Sequence, residues 1–192
     1  GYQVLQRAQE SVRREVVTLE RELGCRFGDE ERDFINYWFS PSTQLELMAL
    51  IREIEHISAE HIRRFLELTF SSIIITKSGG VSMARDLAHT RPHRVEDKEP
   101  RSALLEYRKH FTKNLHSLAS LASGNGSVEV CAGNAQALPL HDDTVDLIVT
   151  SPPYAANAID YMRAHKFSLV WFGHSLRRLA QPRQGYIGHD AA

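Results

Sequence analysis

The sequence has little of what marks a membrane or secreted protein. Its apolar runs, such as residues 73–75, are far too short to cross a bilayer, which takes about 20 apolar residues. It has only two cysteines, Cys25 and Cys131, which lie far apart and favour a reducing compartment without disulfides. The N-terminus alternates charged and apolar residues instead of showing a signal-peptide pattern. We therefore expect a cytoplasmic protein with no membrane partner.

Combinations of metal ligands are also scarce. The histidine pairs His56/His61 and His89/His93 are supported by no cysteine or carboxylate cluster that would complete a site, so we expect no metal. With 42% hydrophobic and 24% charged residues, the rest of the composition is typical of an ordinary globular protein.

Acidic residues are missing from one long stretch. Between Tyr161 and His189 there is no Asp or Glu, whereas five Lys or Arg residues occur. A second segment, 77–113, holds nine basic and five acidic residues. Such segments can follow a phosphate backbone or form a solvated basic surface, and the sequence leaves both interpretations open. The candidate nucleic-acid contacts in these segments are Arg85, Arg91, Arg94, Arg163 and Lys166.

The spacing of apolar residues predicts a largely helical region over residues 1–122. Between Leu5 and Leu23 they recur at steps of three and four, and Gly24 is placed to end that helix. Residues 81–99 lack a clear period and hold many charges, which predicts an extended, surface-exposed connection. Four further helices are predicted to begin at capping or proline signals, namely Asp29, Ser40–Pro41, Ser58 and Pro100.

The pattern changes after a dense turn signal at 123–126. Residues 128–131 and the β-branched run 145–150 are predicted strands, the second of them buried on both faces. Strand, crossover and strand indicate an α/β fold, and helical spacing returns from about 159 to 179. We therefore predict a helical region at 1–122, acting as an insertion or recognition element, and an α/β part at 123–192.

The tetrapeptide Ser151-Pro152-Pro153-Tyr154 directly follows the second predicted strand. Ligands of open parallel sheets bind outside the carboxyl ends of the strands. The two prolines have fixed φ angles and no N–H donors, so the turn is stiff and its carbonyl oxygens are held in place. Ser151 adds a hydroxyl acceptor and Tyr154 a flat ring. These groups suit a planar ring that carries an NH2 group.

The segment GNAQALPLHDDTVDLIVTSPPY resembles the catalytic segment of amino-methyltransferases, which methylate exocyclic amines of DNA bases. Their motif has the form Asp/Asn/Ser-Pro-Pro-Tyr, and its serine version is most familiar in N4-cytosine enzymes. The resemblance implies a Rossmann-like sheet, S-adenosylmethionine as cofactor, DNA as partner and a base flipped out of the duplex as substrate. The residues it implicates are Ser151, Pro152, Pro153 and Tyr154 in catalysis and Gly133, Asn134 and Ala135 in cofactor binding.

Other features of that family cannot be found in this chain. It has no glycine-rich loop of the form Phe-x-Gly-x-Gly, and Asn134 stands where the family often has the acidic residue that meets the cofactor's adenine. We therefore expect the remainder of the methyltransferase in the same chain or a separate one. This chain alone is expected to bind S-adenosylmethionine weakly or not at all. A DNA substrate implies association with the nucleoid.

Two alternatives stay open. The same chemistry can serve RNA or a protein side-chain amide, and a truncated, non-catalytic module can bind DNA or a partner through its helices. Cofactor binding separates the non-catalytic alternative from the two enzymes. Methyl transfer to DNA against RNA or protein separates the enzymes from each other.

Overall fold

The computed structural model describes residues 1–74, 80–85, 93–121, 126–131, 133–134, 137–151 and 162–180. Over these ranges the chain forms eight α-helices and one two-stranded antiparallel sheet. The helices are α1 (Tyr2–Arg14), α2 (Val16–Arg26), α3 (Asp29–Trp38), α4 (Pro41–Glu55), α5 (Glu60–Ile74), α6 (Ala103–Leu121), α7 (Met162–Leu169) and α8 (Leu176–Ala180). The strands are β1 (Ala84–Arg85) and β2 (His93–Arg94).

The predicted α/β fold with a Rossmann-like sheet is wrong for the part of the chain that the structure describes. The two predicted strands, 128–131 and 145–150, are irregular, and the sheet pairs β1 with β2 instead. A buried parallel strand needs hydrogen-bonded neighbours and a packed layer on each face. The described residues provide neither. The consecutive side chains of Leu147, Ile148 and Val149 are between 76% and 87% exposed.

The first predicted helix is divided in two. Glu15 leaves the helical conformation, with φ −124° and ψ 30°, and α2 starts at the next residue. The Glu15 carboxylate accepts a hydrogen bond from Arg52 of α4 at 3.1 Å. Gly24 does not end the helix as predicted, since α2 continues to Arg26. Arg26 is held there because its guanidinium donates to the carbonyl oxygen of Trp171.

The predicted helix starts hold in part. Ser40 caps α4 as predicted, because its Oγ accepts from the Thr43 N–H at 3.2 Å and Pro41 is the first helical residue. Asp29 is the first residue of α3 instead of its cap, a position that Gly28 takes. Helix α5 begins two residues after Ser58.

Helix α6 begins at Ala103 and not at the predicted Pro100. The reason is a cap supplied by a neighbouring helix. The carboxylate of Glu46, on α4, accepts hydrogen bonds from the Ser102 hydroxyl and from the N–H groups of Ala103 and Leu104. A negative charge at a helix N-terminus is favourable, so this contact fixes both the start of α6 and its packing on α4.

Helix α4 is the centre of the core. It contacts α1, α2, α5 and α6, and its buried face carries Leu47, Leu50, Ile51 and Ile54, none of which has measurable exposure. One charged residue, Arg52, is also mostly buried on this helix, with a side chain 16% exposed. Its guanidinium bonds to carboxylates of α1–α2 and to the Ser11 hydroxyl, so the three helices are joined by charge as well as by apolar packing.

Aromatic side chains attach α7 to the other helices. Phe167 and Trp171 are fully buried. The helix predicted over 159–179 is interrupted after α7, because Gly173 adopts φ 84°, a left-handed conformation that ends the helical turn. The rings that pack edge-on against Trp171 are Phe27, Phe39 and Phe70.

The segment after α5 is buried at its start, although residues 81–99 were predicted to be exposed. Residues 80–84 are buried. Gly80 has φ 44°, and a Cβ at this position would lie 2.3 Å from the Ile74 carbonyl oxygen, so only glycine fits. The Met83 N–H then donates to the Trp38 carbonyl at 2.7 Å, which fixes β1 beside the end of α3.

Lys98 holds the same segment from the other side. Its ammonium group donates to the carbonyl oxygens of Gly80, at 3.1 Å, and Ser82. Burial, followed by the positive charges of Arg101 and Arg85, lowers the pKa of Lys98 to about 8. The β1–β2 pair is therefore positioned by a backbone contact to α3 and by a partly buried lysine.

Candidate nucleic-acid interface

The predicted catalytic tetrapeptide lies mostly outside the described residues. Pro152, Pro153 and Tyr154 fall there, whereas Ser151 is described and exposed at the end of the segment 137–151. That segment has no helix or strand. The Ser151 side chain is therefore open to solvent.

The predicted cofactor residues form no enclosed cradle where they are described. Ala135 lies outside the described residues. Gly133 is exposed, and a Cβ there would meet nothing within 4 Å, so no close approach requires glycine at this position. The Asn134 carbonyl accepts from the Ala137 N–H at 2.9 Å. Gly133 and Asn134 thus do not fit S-adenosylmethionine on their own, because nothing described encloses a ligand beside them.

Three aromatic side chains form one face of α3. Phe34, Tyr37 and Trp38 are spaced by three and four residues, which places them on one side of a helix, and we call them the α3 aromatic face. Tyr37 is 51% exposed, and the other two are partly buried. The Tyr37 and Trp38 ring centroids are 4.8 Å apart and nearly perpendicular. Phe167 of α7 packs behind them, 5.0 Å from both Phe34 and Trp38.

Two of the predicted nucleic-acid contacts lie against this face. The Arg94 guanidinium is 5.2 Å from the Tyr37 ring centroid, and the Lys166 ammonium is 5.4 Å from that of Phe34. Both distances are within the range of a cation–π interaction. Burial, followed by the positive charge of Arg163, lowers the pKa of Lys166. The α3 aromatic face therefore has a cation at each end.

The other predicted contacts are distributed differently. Arg163 lies one turn before Lys166 on α7 and adds to the same positive region. Arg85 pairs with His93 across the β1–β2 ladder, whereas Arg94 pairs with Ala84. Because side chains alternate along a strand, Arg85 lies on the opposite face of the ladder from Arg94. Arg91 is outside the described residues.

Acidic side chains reduce the positive charge of this region. Glu96 pairs with Arg94 at 3.3 Å and is itself 72% exposed. Asp33 is exposed and lies one helical turn before Tyr37. The more distant Glu30 is already paired with Arg177 at 3.1 Å. The region is thus a partly neutralised basic surface beside an exposed ring.

The sequence predicted the cations of this region but not its exposed aromatic ring. Arg94 and Lys166 were predicted from local charge, whereas Tyr37 was not singled out. The signal was present in the sequence, because the aromatic residues at 34, 37 and 38 are spaced by three and four residues and therefore share a helix face. What the sequence could not give was the contact of this face with two segments that lie more than 50 residues further along the chain.

Two expected absences concern the same described ranges. The described ranges contain no group of three or more His, Cys, Asp or Glu side chains arranged to hold a metal ion. None of the helices described is long and apolar enough to cross a membrane.

Comparisons with known proteins give no assignment. No family model matches the chain, and neither curated proteins nor solved structures include a significant match.

Proposed function

We propose that this chain supplies the amine-binding residues of an S-adenosylmethionine-dependent methyltransferase that acts on an exocyclic amine of a flipped DNA base. Cytosine N4 is preferred to adenine N6 because the motif starts with serine. The observation that carries the proposal is the sequence Ser151-Pro152-Pro153-Tyr154, whose first side chain is exposed to solvent.

The residues of the motif suit an aromatic amine. Such an amine is a poor nucleophile because its lone pair is delocalised into the ring. The Ser151 hydroxyl and the Pro152 carbonyl can each accept one N–H, which favours tetrahedral geometry at nitrogen and makes the lone pair available. This is catalysis by positioning and electrostatics, with no covalent intermediate. Stacking on Tyr154 offsets part of the few kcal/mol that flipping a base costs.

The cofactor is assigned to the remainder of the methyltransferase, in the same chain or a separate one. Gly133 and Asn134 are exposed, and nothing described encloses a ligand beside them. We therefore attribute no cofactor contact to any other described residue. In this proposal the chain binds the flipped base and its amine through the motif. It also binds part of the DNA backbone through Arg94, Arg163 and Lys166. A protein with this role is located at the nucleoid.

A second candidate function is a non-catalytic module that binds DNA or a partner through its helices. One observation favours it. The helical core, including Phe167 and Trp171, is formed without any contribution from the described residues of 126–151, the segment that precedes the motif. Such a module would retain DNA binding at Arg94 and Lys166 and would need no cofactor.

The substrate class is tested in the cell that carries the gene, where any remainder of the enzyme is present. DNA, RNA and total protein are hydrolysed and their methylated components measured by mass spectrometry, with wild type and with Ser151→Ala. We expect N4-methylcytosine in DNA that is lost in Ser151→Ala. A change confined to RNA or to a methylated amide would support the alternative enzymes. If Ser151→Ala changes the methylated components of neither DNA, RNA nor protein, the result would support the non-catalytic module.

A further inference from the structure

We propose that the α3 aromatic face is a binding site for single-stranded DNA, with an unpaired base stacked on Tyr37 and the neighbouring phosphates held by Arg94 and Lys166. The choice of DNA over other nucleic acids rests on the proposed function. The site is separate from the Ser151 motif, and it uses residues that the methyl-transfer proposal leaves without a role or treats only as backbone contacts.

The exposed tyrosine is the first argument. Tyr37 is aromatic, yet it keeps half of its surface in solvent. Its orientation is fixed by the edge of Trp38 on one side and by the Arg94 guanidinium on another. A ring held in this way binds a base with little loss of side-chain freedom. Proteins that bind single strands use such aromatic platforms because every base has a flat face to stack.

The arrangement of charge is the second argument. Phe34 and Tyr37 are three residues apart, so their Cα atoms lie about 4.5 Å from each other along the helix axis, and each ring has one cation over it. Further positive charge comes from Arg163, one turn before Lys166. Cations beside a partly exposed aromatic ring complement a phosphate backbone and its bases. Arg94 adds a planar group that can itself stack on a base.

An unpaired polar atom is the third argument. The Arg94 Nε is buried and has no hydrogen-bond partner in the part of the chain that the structure describes. Arg94 keeps its position through the Tyr37 ring and a single exposed carboxylate, Glu96. This pairing is weak because the Glu96 carboxylate is 72% exposed and remains hydrated. A phosphate can therefore replace Glu96 as the partner of Arg94 at low cost.

A single strand fits this site better than a duplex. In a duplex the base faces are covered by their neighbours, so an exposed ring has no base to stack on. Flipping a base opens the duplex locally at an energetic cost, so binding of an opened strand beside the motif would favour the proposed reaction. The α3 aromatic face would hold that strand while the motif holds the flipped base.

The test is fluorescence anisotropy with a labelled single strand of about 12 nucleotides and with the matching duplex. Tyr37→Ala is expected to weaken single-strand binding at least about fivefold and duplex binding less than about twofold. Tyr37→Phe keeps the ring and should bind like wild type. The matched control is Tyr2→Ala, since Tyr2 is 54% exposed on α1 and packs on Phe111 instead.

The charged partners give a second pair of variants. Arg94→Gln should weaken single-strand binding, whereas Arg64→Gln, which removes an exposed arginine paired with Glu60 on α5, should not. Glu96→Gln should tighten binding, because it releases Arg94 for phosphate. Each variant is checked by circular dichroism and melting, and Tyr37→Leu replaces Tyr37→Ala if the alanine variant does not fold.

Several results would overturn the proposal. One is that the wild type does not bind the single strand. Another is that Tyr37→Ala and Tyr2→Ala weaken single-strand binding equally, and a third is that neither Tyr37→Ala nor Arg94→Gln weakens it. Tighter binding of single-stranded RNA than of DNA of the same sequence would overturn the assignment to DNA. These assays need no methyl transfer, so their failure is distinct from a failure of the methyltransferase proposal, which methylated nucleosides report.

Discussion

The guanidinium of Arg26 donates two hydrogen bonds, of 2.7 and 3.1 Å, to the carbonyl oxygen of Trp171, which lies 145 residues further along the chain. The same guanidinium pairs with both carboxylate oxygens of Glu55 at 2.6 and 3.1 Å. Arg26 therefore joins α2, α4 and the turn that follows α7. Since α7 carries Lys166, this contact also positions one side of the candidate interface.

Replacing Arg26 should destabilise the protein. Arg26→Ala leaves the Trp171 carbonyl without these two donors, and hydrogen bonds from charged groups contribute about 1.5–3 kcal/mol. We expect the free energy of unfolding in urea to fall by that amount. Arg21→Ala, at an exposed position on the same helix, is the control and should change it by less than about 0.5 kcal/mol. Equal effects of the two substitutions would contradict the role given to Arg26.

Removing the hydroxyl of Tyr107 should stabilise the protein. Tyr107 is fully buried, its Oη has no hydrogen-bond partner among the described residues, and burial raises the pKa of this phenol. An unsatisfied buried hydroxyl costs about 1–3 kcal/mol, so Tyr107→Phe should raise the melting temperature. Tyr37→Phe, at the exposed tyrosine, should leave it unchanged. A lower melting temperature for Tyr107→Phe would mean that the hydroxyl is bonded in solution.

Stability should depend on pH through His110. Its Nδ1 lies 2.9 Å from the Ser72 hydroxyl of α5. Burial lowers its pKa, the Glu106 carboxylate opposes that shift, and Lys109 and Lys113 add to it. The unfolded chain therefore binds the proton more readily, and the free energy of unfolding should decline as the pH falls below about 6.5 towards the lower pKa of the folded state.

The measurement is urea unfolding at a series of pH values, compared between wild type and His110→Gln. The glutamine variant should lose that part of the decline. His116→Gln, on the exposed side of the same helix, should keep it. A decline of equal size in wild type and His110→Gln would assign it to other groups.

Binding of duplex DNA should depend on Lys166 in a way that varies with salt. A lysine that contacts one phosphate adds about 0.9 to the slope of log affinity against log salt. Lys166→Gln should therefore weaken binding most at low salt and reduce the slope by about that amount. Lys109→Gln, which removes a 72% exposed lysine on α6, is the control. An unchanged slope in Lys166→Gln would remove Lys166 from the interface.

The helices could be predicted from sequence because their signals are local. Apolar spacing located them, and the Ser40–Pro41 start of α4 depends on a contact within four residues. Their exact ends could not be predicted, because long-range partners decide them. Glu46 delays the start of α6, and Trp171 holds the end of α2.

The prediction of the two strands was wrong for a related reason. The run 145–150 has the composition of a buried strand, but a strand exists only with neighbours, and no local pattern states whether they are present. Only the charged residues of the candidate interface could be predicted from the sequence. Charge identified Arg94 and Lys166, whereas their contact with the α3 aromatic face depends on packing between distant segments.

The most direct test of the proposed function is methyl transfer from labelled S-adenosylmethionine to DNA by the complete enzyme carrying Ser151→Ala. If Ser151 accepts an amine hydrogen, it acts mainly in the transition state, so turnover should fall by about tenfold or more while DNA affinity changes less than about twofold. Ser127→Ala, at another exposed serine of the irregular region, should be as active as wild type. Full turnover in Ser151→Ala would contradict the account.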